Sequence, residues 1–164
     1  MALLIRAATP ADAARCAEIY RPHVVESCAS FEIDPPDAAE MARRIGEHGA
    51  SHAWLVAETA DGRGAGYAYG SPHRTRAAYA TSADVAVYVD SAHARQGVGR
   101  ALYAALFPML AAKGIHAVFA GITVPNPGSV GLHEAMGFTL VGIYREVGWK
   151  MGAWRDVGWW QRML

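Results

Sequence analysis

One segment constrains the fold more than any other: a valine-rich stretch that leads through a glycine-containing loop into an amphipathic run. The stretch is ADVAVYVD at residues 83–90, and the loop and run that follow read HARQGVGRALYAAL. A short valine-rich run is typical of a buried strand. Apolar residues at helical spacing, followed by Gly114 as a stop signal, predict a helix over 100–112. The segment therefore predicts a strand, a tight loop and a helix in direct succession, as in α/β proteins.

Gly97 and Gly99 lie where this helix is expected to begin. Glycine lowers helix stability, so a pair at this place indicates either a tight turn or a close approach to the backbone. A helix start exposes unpaired N–H groups and the positive end of the helix dipole, and can therefore bind phosphate. The spacing leaves both explanations open. It lacks a full GxGxxG, because residue 102 is leucine, and it lacks the GK[ST] of a P-loop.

Strand and helix patterns alternate in the second half of the chain. The patterns predict strands at 3–8, 52–58, 64–70, 115–123, 138–146 and 154–164, and helices at 11–20, 38–48 and 130–137. The resulting order, β α α β β β α β α β β, favours a mixed α/β sheet with helical crossovers. No repeat or linker interrupts it, so we expect one domain over residues 1–164.

Composition excludes several classes of partner. Lys plus Arg equals Asp plus Glu at 15 each, which leaves no net field to attract nucleic acid or an anionic membrane. The chain has no signal peptide pattern and no apolar stretch near the ~20 residues that span a bilayer, so we expect a cytoplasmic location. Cys16 and Cys28 form no metal-spaced pair, and we expect no metal site. The aromatic segment WKMGAWRDVGWW favours core and dimer packing over a nucleic-acid surface.

Several segments in order resemble one family. VYVDSAHARQGVGRALYAAL is similar to the acyl-CoA-binding motif of the GNAT N-acetyltransferases, a strand followed by a Q/R-x-x-G-x-G/A loop and a helix. The segments SFEIDPP, GYAYGSPHRTRAAY, PNPGSVGLHEAMGF and VGIYREVGWKMGAWRDVGWWQ resemble its phosphinothricin/methionine sulfoximine N-acetyltransferase branch. The resemblance implies a GNAT fold, a twisted mixed sheet of about seven strands flanked by about four helices.

The resemblance also implies acetyl-CoA as co-substrate, with direct transfer of the acetyl group to an amine. Backbone amides of one strand would hold the thioester carbonyl: Val87, Tyr88 and Val89. The loop and helix start would surround the pyrophosphate: Arg95, Gln96, Gly97, Val98, Gly99 and Arg100. The pantetheine arm would contact Asn126 and Ser129, which are also suited to cap a helix. The Q/R position falls on Ala94, so we expect main-chain N–H groups to hold the pyrophosphate, assisted by Arg95 and Arg100.

Two side chains are candidates for proton transfer. The family's glutamate base corresponds to Asp84, which is one methylene shorter and would favour a bridging water. The alternative is that Asp84 is only the residue at the start of its strand. The residue that would give a proton to the departing thiolate corresponds to His133 in this branch. Histidine suits this role because it titrates near neutral pH. The alternative for His133 is a purely structural role.

The loop after the third strand is the candidate substrate site. Arg74, Arg76 and Tyr79 match basic and aromatic positions that border the amino-acid pocket of this branch, with Phe31 and Glu32 closing it from the other side. Guanidinium groups suit a carboxylate or phosphinate, although two solvated arginines are the plain alternative.

We therefore expect acetylation of the α-amino group of a phosphinothricin, methionine sulfoximine or methionine sulfone type of compound by a homodimer. Another amine, such as a protein N-terminus or a polyamine, is the alternative substrate. A non-catalytic acyl-CoA-binding module is the alternative class.

Overall fold

Seven strands form a sheet that four helices flank in the computed structural model, which describes residues 2–164. The strands are β1 Leu3–Ala7, β2 Ala53–Thr59, β3 Gly64–Pro72, β4 Ser82–Val89, β5 Ala117–Val124, β6 Thr139–Lys150 and β7 Ala153–Met163. The helices are α1 Ala13–Val25, α2 Ala38–Ser51, α3 Val98–Ala112 and α4 Pro127–Ala135. The predicted fold class and element order are confirmed. Within residues 2–164, none of the helices has the length and hydropathy of a membrane span.

Several predicted boundaries were wrong by a few residues. A short 3-10 turn at Pro10–Asp12 precedes α1, which continues through Pro22 to Val25, because Val24 is buried against the sheet and compensates for the missing N–H. Helix α3 begins at Val98, earlier than predicted, because Gly97 adopts a left-handed conformation directly before it. Strand β6 extends to Lys150, beyond the predicted residue 146, because it pairs with β7 in a long hairpin.

The sheet has the order β1-β2-β3-β4-β5-β7-β6, and its neighbouring strands are antiparallel except for β4 and β5. The parallel pairing of β4 with β5 covers only Ser82–Asp84 against Ala117–Phe119. Beyond these residues the two strands diverge, while β4 stays paired with β3 as far as Val89. The sheet therefore opens at its centre, on the β5 side of residues 85–89.

Two apolar clusters lie on opposite faces of the sheet. Strand β2 shows the alternation: Ala53, Leu55 and Ala57 join the cluster under α3, whereas Trp54 and Val56 join the cluster under α1 and α2. The α3 cluster is filled by side chains without solvent exposure: Leu102, Tyr103, Leu106 and Leu110. Each such burial contributes roughly 1.5–3 kcal/mol, so the two clusters hold the helices rigidly beside the opening.

Candidate active site

The opening between β4 and β5 contains two adjoining cavities. The first, about 460 Å³, lies between β4, the start of α3 and α4. The second, about 520 Å³, lies between β4, β5, β7 and the segment 29–32. Ala29, Tyr88 and Gly121 line both cavities. The two spaces therefore meet where β4 leaves β5, so molecules held in each can react at that point.

The first cavity brings together the predicted cofactor residues. Its walls include Val87, Tyr88, Val89, Arg95, Gly97, Val98, Gly99, Arg100, Asn126, Ser129 and also His133. Gln96 does not line it, because its Nε2 donates a hydrogen bond to the Ala92 carbonyl oxygen at 3.2 Å. The loop thus turns the Gln96 side chain away from the space that its neighbours enclose.

Gly97 supplies the turn that starts α3. Its φ is +83°, a left-handed conformation that favours glycine, and a Cβ there would meet nothing within 4 Å. The Ala101 N–H donates to the Gly97 carbonyl at 3.0 Å and closes the first helical turn. The N–H groups of Val98, Gly99 and Arg100 come before that bond and lack intrahelical partners. The tight-turn explanation therefore holds for Gly97, and the same turn exposes the donors that an anion needs.

Gly99 has a different role from Gly97. A Cβ on Gly99 would lie 3.0 Å from Leu132 Cδ2 and 3.6 Å from Val87 Cγ2. The missing side chain therefore lets α3 lie close to both β4 and α4. This close packing brings the start of α3 and the start of α4 to the same cavity.

Strand β4 has one free edge along the opening. Its residues from Val85 to Val89 pair with β3, and none of them pairs with β5. Backbone groups on the β5 side therefore face the place where the two cavities meet. Preorganised N–H donors in such a position can stabilise negative charge that develops on a carbonyl oxygen.

The capping prediction for the start of α4 is confirmed for Asn126. Its Oδ1 accepts a hydrogen bond from the Ser129 N–H at 3.2 Å, and Pro127 occupies the first turn. Both Asn126 and Ser129 also line the first cavity. The cap leaves the Asn126 amide nitrogen available as a donor.

His133 is buried on α4, and both of its ring nitrogens have partners. Nδ1 donates to the Ser129 carbonyl oxygen at 2.7 Å, and Nε2 accepts from the Tyr103 hydroxyl at 2.9 Å. Burial lowers the pKa of the imidazole below its ordinary value of 6.5, and the bond to Ser129 opposes that fall. His133 is therefore a neutral ring that ties α4 to α3, a contact that the sequence did not indicate because Tyr103 is thirty residues away.

The second cavity contains the predicted residues Asp84, Phe31 and Glu32. Burial raises the pKa of the Asp84 carboxyl above its ordinary value of 3.8, and a hydrogen bond from His73 opposes the rise. That bond joins His73 Nδ1 to Asp84 Oδ1 at 2.5 Å. Asp84 is thus a partly buried carboxyl with an increased affinity for protons, next to the junction of the cavities.

Glu32 is tied into an ion pair. Arg44 donates to its two carboxylate oxygens at 2.6 and 2.9 Å, and the Tyr20 hydroxyl donates to Oε2. The Arg44 guanidinium is the main reason that the pKa of Glu32 lies below its ordinary value of 4.5. Glu32 is therefore ionised and held in place, and it anchors the segment 29–32 to α1 and α2.

The predicted basic residues lie outside the second cavity's walls. Arg74 has its guanidinium carbon 5.8 Å from the ring centre of Trp159, which lines that cavity. Tyr79 is half exposed, with its ring centre 6.0 Å from that of His73. Arg76 is exposed just before a short 3-10 turn at Ala77–Tyr79. The structure thus brings Arg74 beside a wall residue and Tyr79 beside His73, and it leaves Arg76 facing solvent.

Two functional positions were not predicted, His73 and Trp159. His73 is next to Arg74 in the predicted loop, and the hairpin of β3 and β4 was the signal that could have placed it near Asp84. Trp159 lies in the aromatic segment that the sequence assigned to packing. Trp160 is 4% exposed, as packing requires, and Trp159 packs against Gly121 of β5 and also lines the second cavity.

Residues 2–164 include no group of three or more His, Cys, Asp and Glu side chains placed to hold a metal ion. His48 and His52 are four residues apart at the end of α2, but no third ligand from residues 2–164 is placed to bind a metal ion with them.

Comparison with known proteins decides the family. A protein-family model described as an acetyltransferase (GNAT) domain matches residues 5–159 of this chain. The chain belongs to the GNAT acetyltransferase family. The predicted family, the GNAT fold and the enzyme class, an N-acetyltransferase, are confirmed.

Relatives of this GNAT acetyltransferase carry two kinds of name. A phosphinothricin N-acetyltransferase of Streptomyces viridochromogenes is 40% identical over 96% of this chain and 86% of its own. An L-methionine sulfoximine/L-methionine sulfone acetyltransferase of Salmonella typhimurium is 32% identical over 99% of this chain and 95% of its own. A phosphinothricin acetyltransferase from Sinorhizobium meliloti, solved with acetyl-CoA, superposes with a TM-score of 0.95 at 35% identity, covering 100% of this chain and 89% of its own.

Proposed function

We propose that this enzyme transfers an acetyl group from acetyl-CoA to the α-amino group of a small amino-acid-like substrate of the phosphinothricin or methionine sulfoximine type. The observation that carries the proposal is the meeting of the two cavities at the divergence of β4 from β5. One cavity has anion-binding donors at a helix start, and the other has a carboxyl with raised proton affinity. The names of the relatives support the choice of donor and acceptor.

The first cavity fits acetyl-CoA. The free N–H groups of Val98, Gly99 and Arg100 suit a pyrophosphate, and the guanidinium groups of Arg95 and Arg100 add positive charge at the same wall. Asn126 and Ser129 border the path from this wall towards β4, where a pantetheine arm would lie. Acetyl-CoA supplies an acyl group that is already activated as a thioester. The free edge of β4 from Val87 to Val89 places N–H donors where its carbonyl oxygen would gain charge.

Asp84 acts as the base in this proposal. An amine arrives mainly as an ammonium ion, and it must lose a proton before its nitrogen can attack a carbonyl carbon. One N–H bond breaks, the proton passes to the Asp84 carboxylate directly or through one water, and the electron pair stays on nitrogen. Burial raises the proton affinity of this carboxylate towards the working pH and so improves the transfer.

His133 takes the structural role of the two that the sequence left open. A neutral imidazole with both nitrogens engaged is a poor acid for a leaving thiolate. Its contacts instead support a role in holding α4, and with it Asn126 and Ser129, against the start of α3. The thiolate then takes its proton from solvent.

Substrate recognition in this proposal combines apolar walls with a cation beside them. Phe31 and Trp159 line the second cavity and suit an aliphatic side chain, while Arg74 lies beside Trp159. A carboxylate or phosphinate favours a guanidinium partner, and Arg74 is the cation placed to provide it. This charge pattern disfavours a polyamine.

A homodimer in the cytoplasm completes the proposal. The hairpin of β6 and β7 exposes a group of large apolar side chains: Leu140, Val141, Tyr144, Val147, Trp149, Met151, Trp154 and Met163. Exposed apolar patches of this kind favour a protein interface. The balanced charge of the chain supports the absence of a nucleic-acid or membrane partner. Light scattering of the purified enzyme should give twice the chain mass, and a monomer would contradict this part.

The activity is tested by measuring the free CoA thiol that is released from acetyl-CoA. A panel of phosphinothricin, methionine sulfoximine, methionine sulfone, unmodified amino acids, a polyamine and a peptide N-terminus is offered in parallel. We expect turnover with the first three and an increase in KM for them in Arg74→Ala. If only the polyamine or the peptide were acetylated, the proposed substrate class would be wrong. Binding of acetyl-CoA without turnover of any amine would favour a non-catalytic module.

A further inference from the structure

His73 lies directly behind the candidate base. It follows β3, whose residue Ser71 pairs with Asp84 of β4, so the turn of the hairpin brings the imidazole to the carboxyl. The side chain of His73 is only 12% exposed, and its Nδ1 lies 2.5 Å from Asp84 Oδ1. A carboxylate is an acceptor only, so the Nδ1–H of His73 donates. No hydrogen bond from the described residues, 2–164, reaches the second oxygen, Oδ2.

The ring of His73 is held by aromatic neighbours. It stacks on Phe119 of β5 with the ring centres 4.2 Å apart and the planes 17° apart. Trp159 of β7 and Tyr79 approach it edge-on at 5.9 and 6.0 Å. Packing from three elements restricts the rotation of the ring, so its donor is fixed in direction before any substrate binds.

We propose that His73 is a positioning residue for Asp84, which fixes Oδ1 through its Nδ1–H and so presents Oδ2 to the amine. The inference rests on the proposed function, since it assigns a partner to the base of that reaction. A short aspartate side chain that is free to rotate would often aim both oxygens away from the substrate, and a fixed one avoids that loss. The proton that leaves the amine is taken up at Oδ2, while His73 keeps its own Nδ1–H throughout the step.

The other charged and titratable groups around the pair are few. Arg74 follows His73 in the loop, and its positive charge lowers the pKa of Asp84. Glu32 faces the same cavity but is neutralised by Arg44. Three tyrosines also approach from β3, β4 and the loop after β3: Tyr69, Tyr88 and Tyr79. None of these groups changes when His73 alone is replaced, so a change in pH dependence reports on the His73–Asp84 contact.

Two substitutions separate the donor from the ring. His73→Asn keeps an N–H donor at the place of Nδ1 and removes the ring. His73→Phe keeps the ring on Phe119 and removes the donor. We expect kcat/KM of His73→Phe to fall about 10- to 100-fold, the usual effect of losing a hydrogen bond to a charged group. The acid limb of its kcat/KM profile should move to higher pH, because the His73 bond lowers the pKa of Asp84. His73→Asn should retain kcat/KM within about threefold and move the acid limb less than His73→Phe does, because it restores the hydrogen bond but not the charge of His73.

The reverse order, with activity kept in His73→Phe and lost in His73→Asn, would overturn the inference and leave ring packing as the only role of His73. Equal losses in both variants with an unchanged acid limb would also overturn it. If His73→Asn fails to fold, His73→Phe still decides, because it preserves the contact with Phe119.

A second readout needs no turnover. The carboxyl carbon of Asp84 can be titrated by ¹³C NMR in the free wild-type protein and in both variants. We expect the midpoint to rise in His73→Phe and to rise less in His73→Asn. Wild-type protein that acetylates no amine would refute the proposed function, whereas unchanged NMR midpoints in both variants would refute the role of His73.

Discussion

The two cavities of this enzyme are built in different ways. Apart from His23 and Ala29, the first cavity is lined by residues within 85–133, one continuous part of the chain, and the start of α3 contributes main-chain N–H groups to it. The second cavity takes its walls from five separate places: Tyr20 on α1, the segment 29–32, β4, Thr123 on β5 and Trp159 on β7. Recognition by the main chain tolerates a change such as Ala94 in the loop, whereas recognition by dispersed side chains depends on each of them.

The largest expected effect separates chemistry in the second cavity from binding in the first. Asp84→Asn removes the proton acceptor and keeps the shape of the side chain, so kcat should fall about 100- to 10,000-fold. The Kd for acetyl-CoA should stay within about threefold, because Asp84 does not line the first cavity. Steady-state kinetics and calorimetric titration measure the two quantities, and a comparable loss in both would remove Asp84 from the role of base.

A second prediction concerns how the first cavity binds. Gly99→Val inserts a side chain where Leu132 already lies 3.0 Å from an added Cβ, so it should push α3 from α4 and weaken acetyl-CoA binding about tenfold or more. Arg95→Ala removes one exposed charge and should weaken binding less than about fivefold. Both Kd values come from the same calorimetric titration. A larger effect of Arg95→Ala would mean that side chains, and not the packed helix start, hold the pyrophosphate.

A third prediction tests the part of His133 in the first cavity. His133→Ala leaves the buried Tyr103 hydroxyl without a partner and removes the ring's bond to the Ser129 carbonyl, so the free energy of unfolding should drop by about 1–3 kcal/mol. Because both ring nitrogens are already hydrogen-bonded within the protein, kcat should change less than tenfold. Tyr103→Phe is the matched control, since it removes one of these bonds without opening a space. A 100-fold fall in kcat with unchanged stability would instead assign His133 to the thiolate.

The smallest effect concerns acid stability, which should differ between the cavities. Burial lowers the pKa of His23 and of His133 below 6.5, so the unfolded chain binds protons first as the pH falls. The stability that depends on these neutral rings is complete above pH ~6.5 and declines as the pH falls towards their folded-state pKa values. Glu32 has a lowered pKa, so its contribution is lost only below its ordinary value of 4.5. Asp84 has a raised pKa, and its protonation acts in the opposite sense.

Hydrogen exchange between pH 8 and 5 measures this difference. We expect protection of α4 to fall before protection of the segment 29–32, and His133→Gln, which does not titrate, to reduce the pH dependence at α4. Equal pH dependence in both places would contradict a local origin in the buried histidines.

Much of the fold could be predicted because its signals are local. Valine-rich strands, the proline at the start of α4 and the glycine after α3 act within a few residues of themselves. The strand order was not accessible in this way, because β7 inserts between β5 and β6 through pairing that no short segment specifies. Boundaries such as the end of α1 also escaped, since burial of Val24 against the sheet outweighs the proline inside the helix.

The same distinction between local signals and long-range contacts applies to the candidate site. The sequence by itself determined the family and indicated the tight turn at Gly97 and the helix cap at Asn126, because a turn and a cap are each made by consecutive residues. Only the tertiary structure decided that Asp84 has His73 as its partner, that Glu32 is neutralised by Arg44 and that His133 is held by Tyr103. Each of these contacts joins residues on different elements. Their distance, burial and pKa depend on how the sheet and helices pack, which the spacing of residues along the chain does not encode.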